Sequence, residues 1–600
     1  MNPSTAFATV LVDELVRAGV RHVVLCPGSR SAPLAYAAQA AEGAGRLTLH
    51  VRVDERSAGF LALGLAKLTR VPAVVVTTSG TAVANLHPAV LEAHHGVVPL
   101  IVLSADRPLE LRGTGANQTT IQPGMFGDVV QWSVDAAAPQ RQAGEVARWR
   151  ALATEAVRHA TGAGAGERAE PGPVHVNVQL REPLVPTAGE PWLEPLDAVV
   201  PTQTTAIPGH ATTHPSRATP GQATAGSATT ASSAGVEDVA RTVVVVGDLP
   251  EPDQFDRAVR WATTRGWPVV AEPFGSHPRF DVLPHGPLVL SDPDWLDEHA
   301  PDRVIAVGRL TLSRPVAALL RRPGVRVEAV GTHGWIESRP DIQDVHPVAV
   351  LDAPAPNGST PDEEDRQWSQ AWQAAGARIA AALADEPGHS RPWPSGPAVA
   401  ETVVDSLPPG STLFLGSSNS VRDVDVTAPR AEALRVVASR GLAGIDGCVS
   451  TAAGLALAGT DPTYALLGDL TFLHDANGLL VGPLERRPDL TIVVTNDDGG
   501  GIFSLLEPGE PERSADFERI FGTPTGVDLG ALCAAHHVAH QLVSSRAELV
   551  EAVATAPSGL RVLEVPLDRA AHRAQRDALR SVARDAIRRA AVRNGDAARG

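Results

Sequence analysis

One strand–turn–helix–strand–turn unit in the last third of the chain restricts its fold more than any other feature. An apolar run ends in Gly468-Asp469, a helical pattern follows, and a second apolar run ends in Asn496-Asp497. Strands joined through a helix are parallel, so their carboxyl ends meet at one edge of the sheet, where open α/β sheets bind ligands. We therefore expect Asp469 and Asp497 to lie side by side.

The residues of these two turns indicate a diphosphate held through a metal ion. The carboxylates of Asp469 and Asp497 and the main-chain carbonyl of Gly499 are hard oxygen ligands, which suit Mg²⁺. Magnesium in proteins is often completed by the phosphates of a ligand, and glycines let the backbone approach a diphosphate closely. Either turn alone is ordinary turn chemistry, but the spacing of the pair fits one strand–helix–strand unit.

The pair is similar to the thiamine-diphosphate signature, in which Gly-Asp is followed after one helix by Asn-Asn. This chain departs from the signature at one position. Asp497 stands where the second Asn usually lies, so a carboxylate rather than an amide would bind the metal.

Strand and helix patterns alternate through three blocks of the 600-residue chain, which predicts an α/β fold with parallel sheets covered on both faces. In the first block the predicted strands span residues 20–26, 48–53, 73–77, 100–104 and 174–178. We place domains and connections at residues 1–186 (domain), 187–240 (flexible linker), 241–352 (domain), 353–365 (linker), 366–570 (domain) and 571–600 (basic helical tail). Residues 200–236 contain almost no large apolar side chain and cannot bury a core. The basic tail is expected to fray and to be solvated.

The charge of the chain argues against nucleic acid or an anionic membrane as the main partner. Its 51 Lys and Arg residues face 68 Asp and Glu residues, a formal net charge of −17. Acidic substrates would therefore need local arginines. The three cysteines lie far apart, no signal-peptide pattern opens the chain, and no apolar run is long enough to span a membrane. We expect a cytoplasmic protein with small-molecule substrates.

Glu55 follows a predicted strand and opens a predicted helix. On its own it is a first-turn acid stabilised by the helix dipole. Beside thiamine diphosphate it has a second interpretation, because the protein must help to remove the C2 proton of that cofactor. A carboxylate hydrogen-bonded to N1′ of the aminopyrimidine favours the imino tautomer, whose nitrogen then takes the proton. We therefore predict that Glu55 is the catalytic residue.

Six segments, taken in order, resemble one family. They are residues 26–31 (CPGSRS), 54–56 (DER), 78–85 (TSGTAVAN), 105–108 (ADRP), 115–118 (GANQ) and 439–447 (SRGLAGIDG). The family is 2-succinyl-5-enolpyruvyl-6-hydroxy-3-cyclohexene-1-carboxylate synthase, a thiamine-diphosphate-dependent enzyme of menaquinone biosynthesis. The resemblance covers the first and third blocks nearly end to end and is weak in the middle block.

The resemblance implies three doubly wound parallel-sheet domains of the thiamine-diphosphate enzyme type: pyrimidine-binding, central and diphosphate-binding. It also implies a reaction in which 2-oxoglutarate is decarboxylated and the succinyl carbanion adds in a 1,4 sense to isochorismate, with Mg²⁺ or Mn²⁺ as the metal. The family's active site lies between the pyrimidine domain of one subunit and the diphosphate domain of another. A homodimer or homotetramer is therefore expected.

The family match also assigns the residues of the site. Those for the cofactor are Glu55, Ser79, Gly80, Thr81, Ile445, Gly468, Asp469, Leu470, Asn496 and Asp497, with Ile445 as the wedge that keeps the cofactor bent. Those for the metal are Asp469, Asp497 and Gly499. Those for the substrates are Ser29, Arg30, Arg107, Gln118, Arg314, Ser420, Arg422 and Arg440. Arginine suits these substrates because its planar fork binds a carboxylate through two hydrogen bonds.

Two other functions stay open at this point. Another thiamine-diphosphate enzyme, such as an acetolactate synthase or a 2-oxoacid decarboxylase, would share the cofactor motifs, although the arginine loops favour a multiply anionic substrate pair. A non-catalytic cofactor-binding or regulatory protein is the second alternative. Such a protein would need no proton-relay acid, so the presence of Glu55 together with Asp469 argues against it.

Overall fold

Three sheets organise the chain, and the residues divide into two structural units. The first unit comprises residues 1–218, 439–460 and 472–490, and the second comprises 219–438, 461–471 and 491–600. The computed structural model describes residues 1–163, 170–187, 189–197, 211–213, 236–237, 239–251, 253–276, 279–331, 342–355, 362–385, 388, 391–427 and 434–597.

The first unit is built on a seven-stranded sheet. In sheet order its strands are Thr48–Val51, His22–Leu25, Ala73–Thr77, Leu100–Asp106, Pro173–Gln179, Trp132–Ala136 and Ala211–Thr213. All pairings are parallel except the last, which is antiparallel. The α-helices of this unit are Pro3–Arg17, Ala32–Gly43, Glu55–Thr69, Thr81–Ala84, His87–His95, Glu145–Ala160 and Cys448–Ala458. The central strands are buried along their length, as expected for a parallel sheet covered on both faces.

The second unit holds the other two sheets. The seven-stranded sheet has the order Gly275–Ser276, Arg435–Ala438, Thr412–Leu415, Thr463–Gly468, Leu490–Asn496, Leu560–Pro566 and Ala539–Leu542, and its first pairing is antiparallel. The five-stranded sheet is parallel throughout, in the order Asp344–His346, Arg326–Val330, Arg303–Val307, Thr242–Val246 and Val269–Ala271. The α-helices of the second unit are Gln254–Thr263, Gly286–Val289, Pro293–Glu298, Arg314–Leu320, Glu363–Asp385, Gly396–Ser406, Asn419–Thr427, Ser514–Phe517, Leu529–Ala535, Arg546–Ala554 and His572–Ala597, and the helix Asp469–His474 begins in this unit.

The predicted α/β fold is confirmed, and the five strands predicted in the first block are present. The strand Trp132–Ala136 was not predicted. The domain limits stay predictions, and most of the predicted linker at 187–240 lies outside the described residues. In the described ranges, no helix combines the length and the apolarity that crossing a lipid bilayer requires.

The carboxyl-terminal helix, His572–Ala597, differs from the expected solvated tail. Leu579, Ala583 and Ile587 are at most 3% exposed and belong to an apolar core of the second unit. These residues recur every four positions and therefore share one helix face. The expectation that the tail is only solvated was wrong. The many arginines on the other faces make the segment basic overall, so its composition does not indicate the apolar stripe.

Candidate cofactor and substrate sites

Glu55 is the first residue of the helix Glu55–Thr69, as the sequence predicts. Asp54 caps this helix, since its Oδ1 accepts hydrogen bonds from the main-chain N–H groups of Arg56 at 2.9 Å and Ser57 at 3.3 Å. The Glu55 side chain is half-buried. Burial raises the pKa of the Cys26 thiol, and the nearby Glu55 and Asp54 carboxylates raise it further. Glu55 is therefore close enough for its charge to act on Cys26, the first residue after the strand His22–Leu25.

A buried carboxylate fixes the first turn of this helix. Ser57 Oγ donates to Asp475 Oδ1 at 3.0 Å, and Asp475 Oδ2 accepts from the main-chain N–H of Ser450 at 2.6 Å. Asp475 is fully buried. Asn477 Nδ2 donates to Asp54 Oδ2 at 2.7 Å. These contacts hold the helix start in one position, which an acid that moves a proton requires.

Ile445 lies in the segment 439–447, directly before the helix Cys448–Ala458. Its side chain is half-buried, so part of its apolar surface is open. Gly447 has a φ of +59°, and a Cβ atom there would come 1.9 Å from Cγ of Phe60. Only glycine fits such an approach. Gly447 thus lets the segment pack directly on the helix that begins at Glu55.

Glu92 anchors the same segment through its carboxylate. Its Oε1 accepts from the main-chain N–H of Gly441 and its Oε2 from that of Leu442, each at 2.7 Å. Glu92 and Arg440 are both buried. The anchor therefore fixes the backbone next to Arg440 and four residues before Ile445.

We expect Glu92→Ala to lower the apparent Tm by about 4 °C or more. The substitution removes the acceptor of two buried N–H groups, each of which costs about 1–3 kcal/mol when unsatisfied. Glu92→Gln keeps one acceptor and should lose less. Differential scanning fluorimetry measures the shift, with Glu190→Ala as the control because the Glu190 side chain is 90% exposed. Equal melting temperatures for Glu92→Ala and the control would refute this role.

Arg107, Ser79 and Gln118 form one hydrogen-bonded group. Arg107 Nη1 donates to Ser79 Oγ and, at 3.1 Å, to the main-chain carbonyl of Gln118, while Gln118 Nε2 donates to the Ser79 carbonyl at 3.0 Å. The N–H of Gly80 donates to Gln122 Oε1 at 2.9 Å. Arg107 and Ser79 are buried and Gln118 is exposed. The structure thus joins three of the segments on which the family resemblance rests.

Arg30 lies close to this group. Its Nη1 donates to the Leu180 carbonyl at 2.9 Å, and its Nη2 lies 3.8 Å from the Glu182 carboxylate. Burial and then the positive charge of Arg107 lower the pKa of Arg30, while the charges of Glu182 and Asp106 raise it. Two guanidinium groups that repel each other are stabilised by a shared anion, so Arg30 and Arg107 suit a carboxylate ligand. Ser29, the neighbour of Arg30, is exposed.

In the second unit, Asp469 and Asp497 directly follow the neighbouring strands Thr463–Gly468 and Leu490–Asn496. Asp469 Oδ2 accepts from the main-chain N–H of Gly499 at 2.7 Å, so the two turns are in direct contact. Burial raises the pKa of Asp469 to about 6. Burial and the charge of Asp469 raise the pKa of Asp497 to about 7. The two carboxyl groups are therefore buried together and repel each other.

This pair of carboxylates fits a divalent cation. Asp497 Oδ1 is buried and has no hydrogen-bond partner within the described part of the chain. A dication between two such groups would stabilise both in the charged form. No group of three or more His, Cys, Asp and Glu side chains with metal-binding geometry occurs among the residues the structure describes. A third protein ligand would therefore be a main-chain carbonyl, the role that the sequence predicts for Gly499.

Gly499 and Asp498 shape the turn after the second strand. Gly499 has a φ of +147°, and a Cβ atom there would come 2.0 Å from the carbonyl oxygen of Gly522, so only glycine fits. Asp498 Oδ1 accepts from the N–H groups of Thr525 and Gly526, each at 2.9 Å. Asp498 is thus committed to another loop and is a poorer candidate ligand than Asp497.

The side chain of Asn496 links this turn to a neighbouring strand. Its Nδ2 donates to Glu564 Oε1 at 2.6 Å, and its Oδ1 accepts from the N–H of Asp498 at 3.0 Å. Both ends of the amide are therefore engaged within the protein. Two other residues predicted for the cofactor lie beside Asp469, since Gly468 ends the preceding strand and Leu470 is the second residue of the following helix. The last, Thr81, is exposed and begins the short helix Thr81–Ala84.

Arg314 and Arg422 line one cavity of about 130 Å³ in the second unit. Arg314 is exposed and opens the helix Arg314–Leu320. Arg422 is half-buried on a different helix, and its Nη1 donates to the Ser418 carbonyl at 2.6 Å. Ser420 is buried and does not line this cavity. The structure therefore brings together two of the three substrate residues predicted in this unit.

Several residues at these sites have no counterpart in the sequence prediction. Glu92 and Asp475 act through hydrogen bonds to distant segments, and no local pattern indicates them. In the second unit, His572 Nδ1 lies 3.5 Å from Asp497 Oδ2, and Arg569 Nη1 donates to the Asp497 carbonyl at 2.9 Å. Of these residues, only His572 could have been singled out from the sequence, because it is the one histidine in residues 571–600.

Comparisons with known proteins agree with one another. Residues 5–128 match the family described as "Thiamine pyrophosphate enzyme, N-terminal TPP binding domain". A protein of Saccharopolyspora erythraea is 47% identical, over 98% of this chain and 100% of its own length. Proteins of Kineococcus radiotolerans (49% identical, 94% and 96% covered) and Nocardia farcinica (45% identical, 96% and 98% covered) are also similar. All three are named 2-succinyl-5-enolpyruvyl-6-hydroxy-3-cyclohexene-1-carboxylate synthase.

A solved structure shows the same fold. The benzoylformate decarboxylase of Polynucleobacter necessarius superposes with a TM-score of 0.61, covering 95% of this chain and 99% of that chain. The two sequences are 16% identical, so this likeness concerns the fold alone.

Proposed function

This chain belongs to the 2-succinyl-5-enolpyruvyl-6-hydroxy-3-cyclohexene-1-carboxylate synthase family, a thiamine-diphosphate-dependent enzyme family, and from that premise we propose how its residues work. The proposed reaction is decarboxylation of 2-oxoglutarate followed by 1,4-addition of the succinyl group to isochorismate, in menaquinone biosynthesis. The observation that carries the substrate class is the close approach of Arg30 and Arg107, because two clustered guanidinium groups suit a multiply anionic substrate better than pyruvate.

We propose that Asp469, Asp497 and the Gly499 carbonyl hold Mg²⁺ or Mn²⁺, and through it the diphosphate of the cofactor. The raised pKa values of the two buried carboxyls and the unpartnered Asp497 Oδ1 support this role. When bound, thiamine diphosphate supplies a carbon nucleophile and an electron sink for decarboxylation. Glu55 would hold and release a proton at N1′ of the aminopyrimidine, from a helix start that is fixed by hydrogen bonds. Ile445 would support the bent cofactor with its open apolar surface.

We propose that the arginines bind substrate carboxylates. In the first unit these are Arg30, Arg107 and Arg440, and Gln118 is hydrogen-bonded to Arg107. In the second unit they are Arg314 and Arg422, which share a cavity. A bidentate pair between arginine and carboxylate gives orientation as well as affinity, which a reaction between two dicarboxylates needs.

The chain is also proposed to act as a homodimer or homotetramer in which two copies together form each active site. The family resemblance supports this arrangement.

A product assay tests the proposed reaction. The protein is incubated with 2-oxoglutarate, isochorismate, thiamine diphosphate and Mg²⁺, and the products are identified by mass spectrometry. The expected product is 2-succinyl-5-enolpyruvyl-6-hydroxy-3-cyclohexene-1-carboxylate, formed only with all four components. Turnover of pyruvate as fast as that of 2-oxoglutarate would instead indicate acetolactate-synthase chemistry.

We expect Ala substitution of Arg30, Arg107, Arg422 or Arg440 to raise KM for one substrate, or to lower kcat, by at least about tenfold. Each substitution removes a charge-assisted pair, and loss of one partner of such a pair costs several kcal/mol. Lysine should rescue poorly because a point charge does not replace the fork. Steady-state kinetics with each substrate varied measures the effect, and the exposed Arg366→Ala serves as the control. Parent-like kinetics in all four variants would refute the assignment.

A further inference from the structure

The carboxyl-terminal helix contributes two arginines to the cavity that Arg314 and Arg422 line. Arg576 and Arg580 of this helix also line it, together with the apolar side chains of Leu505, Leu506 and Leu579. Arg314 and Arg422 come from two other helices. Four guanidinium-bearing side chains from three helices thus border one cavity of about 130 Å³.

Packing fixes the helix that carries Arg576 and Arg580. The two arginines are four residues apart and share one helix face. Leu579, directly before Arg580, is 1% exposed and packs in an apolar core that includes Leu288 and Val316. Arg576 is buried, and its Nη2 donates to Asp423 Oδ1. Arg580 Nη1 lies 3.6 Å from Asp577 Oδ1, in an exposed ion pair that leaves 58% of the Arg580 side-chain surface open to a ligand.

The cavity carries an excess of positive charge. Asp425 is its single carboxyl lining residue within the described ranges, and burial, together with the charge of Glu272, raises the pKa of Asp425 to about 8. Burial and then the charge of Arg576 lower the pKa of Arg580, Asp577 raises it, and the charges of Arg584 and Arg314 lower it further. Like charges held this close, beside apolar walls, are stabilised by a bound anion.

We propose that Arg580 is a substrate-recognition residue that binds, together with Arg314 and Arg422, a carboxylate of one of the two anionic substrates. This inference rests on the proposed function, in which both substrates are dicarboxylates. Arg576, held by Asp423, is a positioning residue that keeps the helix and Arg580 in place. The cavity of about 130 Å³ has room for one end of a dicarboxylate, and Leu505, Leu506 and Leu579 form its apolar wall. The basic tail thereby takes part in choosing the substrate.

Three variants test this role: Arg580→Ala, Arg580→Lys and the control Arg584→Ala. Arg584 lies one turn further along the same helix, is exposed and does not line the cavity. Kinetics are measured with 2-oxoglutarate and isochorismate each varied. A third series replaces 2-oxoglutarate by 2-oxopentanoate, which has the same chain length but lacks the distal carboxylate. Melting temperatures confirm that each variant is folded.

Arg580→Ala is expected to raise KM for one substrate by at least about tenfold while kcat stays within about twofold, and Arg584→Ala is expected to match the parent. If the bound group is the distal carboxylate of 2-oxoglutarate, KM for 2-oxopentanoate stays unchanged in Arg580→Ala. If it belongs to isochorismate, KM for isochorismate alone rises. Arg580→Lys should recover part of the loss.

Two results would overturn the assignment while leaving the proposed function intact. One is the same KM values in Arg580→Ala and Arg584→Ala for both substrates. The other is a loss of kcat without a change in either KM, which indicates a structural effect. Absence of the expected product in the parent protein is a different outcome, because it refutes the proposed function and this inference together.

Discussion

Glu55→Gln is expected to slow exchange of the C2 proton of bound thiamine diphosphate by about 10²–10⁴-fold, the usual contribution of a positioned acid–base group. Glutamine keeps the shape of the side chain but cannot share a proton with N1′. The first turn of the helix should keep its position, since Asp54 and Asp475 hold it through contacts that do not involve the Glu55 side chain. Hydrogen–deuterium exchange at C2, followed by acid quench and NMR, measures the rate.

Cofactor affinity should change much less than the exchange rate, because the residues we propose to hold the diphosphate and the metal do not include Glu55. Glu190→Gln serves as a matched control, as its side chain is exposed. A parent-like exchange rate in Glu55→Gln would show that another group moves the proton.

Asp469→Asn is expected to abolish Mg²⁺-dependent binding of thiamine diphosphate, measured by isothermal titration calorimetry with and without EDTA. The amide oxygen still accepts from the Gly499 N–H, so the turn survives while one of the two anionic ligands is lost. Asp469→Ala should have the same effect on binding and should also loosen the turn. Removal of the metal from the parent protein should reproduce the loss.

Two neighbouring carboxylates provide the controls for this experiment. Asp497→Asn should be tolerated, because an amide is the family's more usual ligand at that position. Asp498→Asn should leave cofactor affinity unchanged, since the Asp498 carboxylate is bound to the 525–526 loop. Full affinity in both Asp469 variants would place the metal elsewhere.

Local sequence patterns predict the fold well, and they also predict the acidic residues that follow the strands. A buried strand of a parallel sheet is a continuous apolar run, and the acid after it marks the carboxyl edge. For this reason the positions of Glu55, Asp469 and Asp497 at strand ends could be predicted from neighbouring residues alone. Their side-chain roles stay predictions until the variants are measured.

The contacts that support the site could not be predicted in this way. Glu92 and Asp475 bind main-chain groups that lie far away in sequence, so their importance depends on the packing of whole helices. The strand Trp132–Ala136 was missed because Ser133 and Asp135 interrupt its apolar run. The edge strand Ala539–Leu542 is mostly exposed and carries polar residues, so it has no apolar signal.

The helix His572–Ala597 has a consequence for the order in which the protein is made. Chains leave the ribosome amino-terminal end first, and domains fold in that order. Yet Arg569 and His572, which contact Asp497, emerge well after both carboxylates, and the buried stripe of the helix follows them. The carboxylate pair therefore acquires these surroundings only after the segment from Arg569 onward has been made. A nascent chain arrested before residue 569 would carry both carboxylates but would lack Arg569 and His572, which contact Asp497.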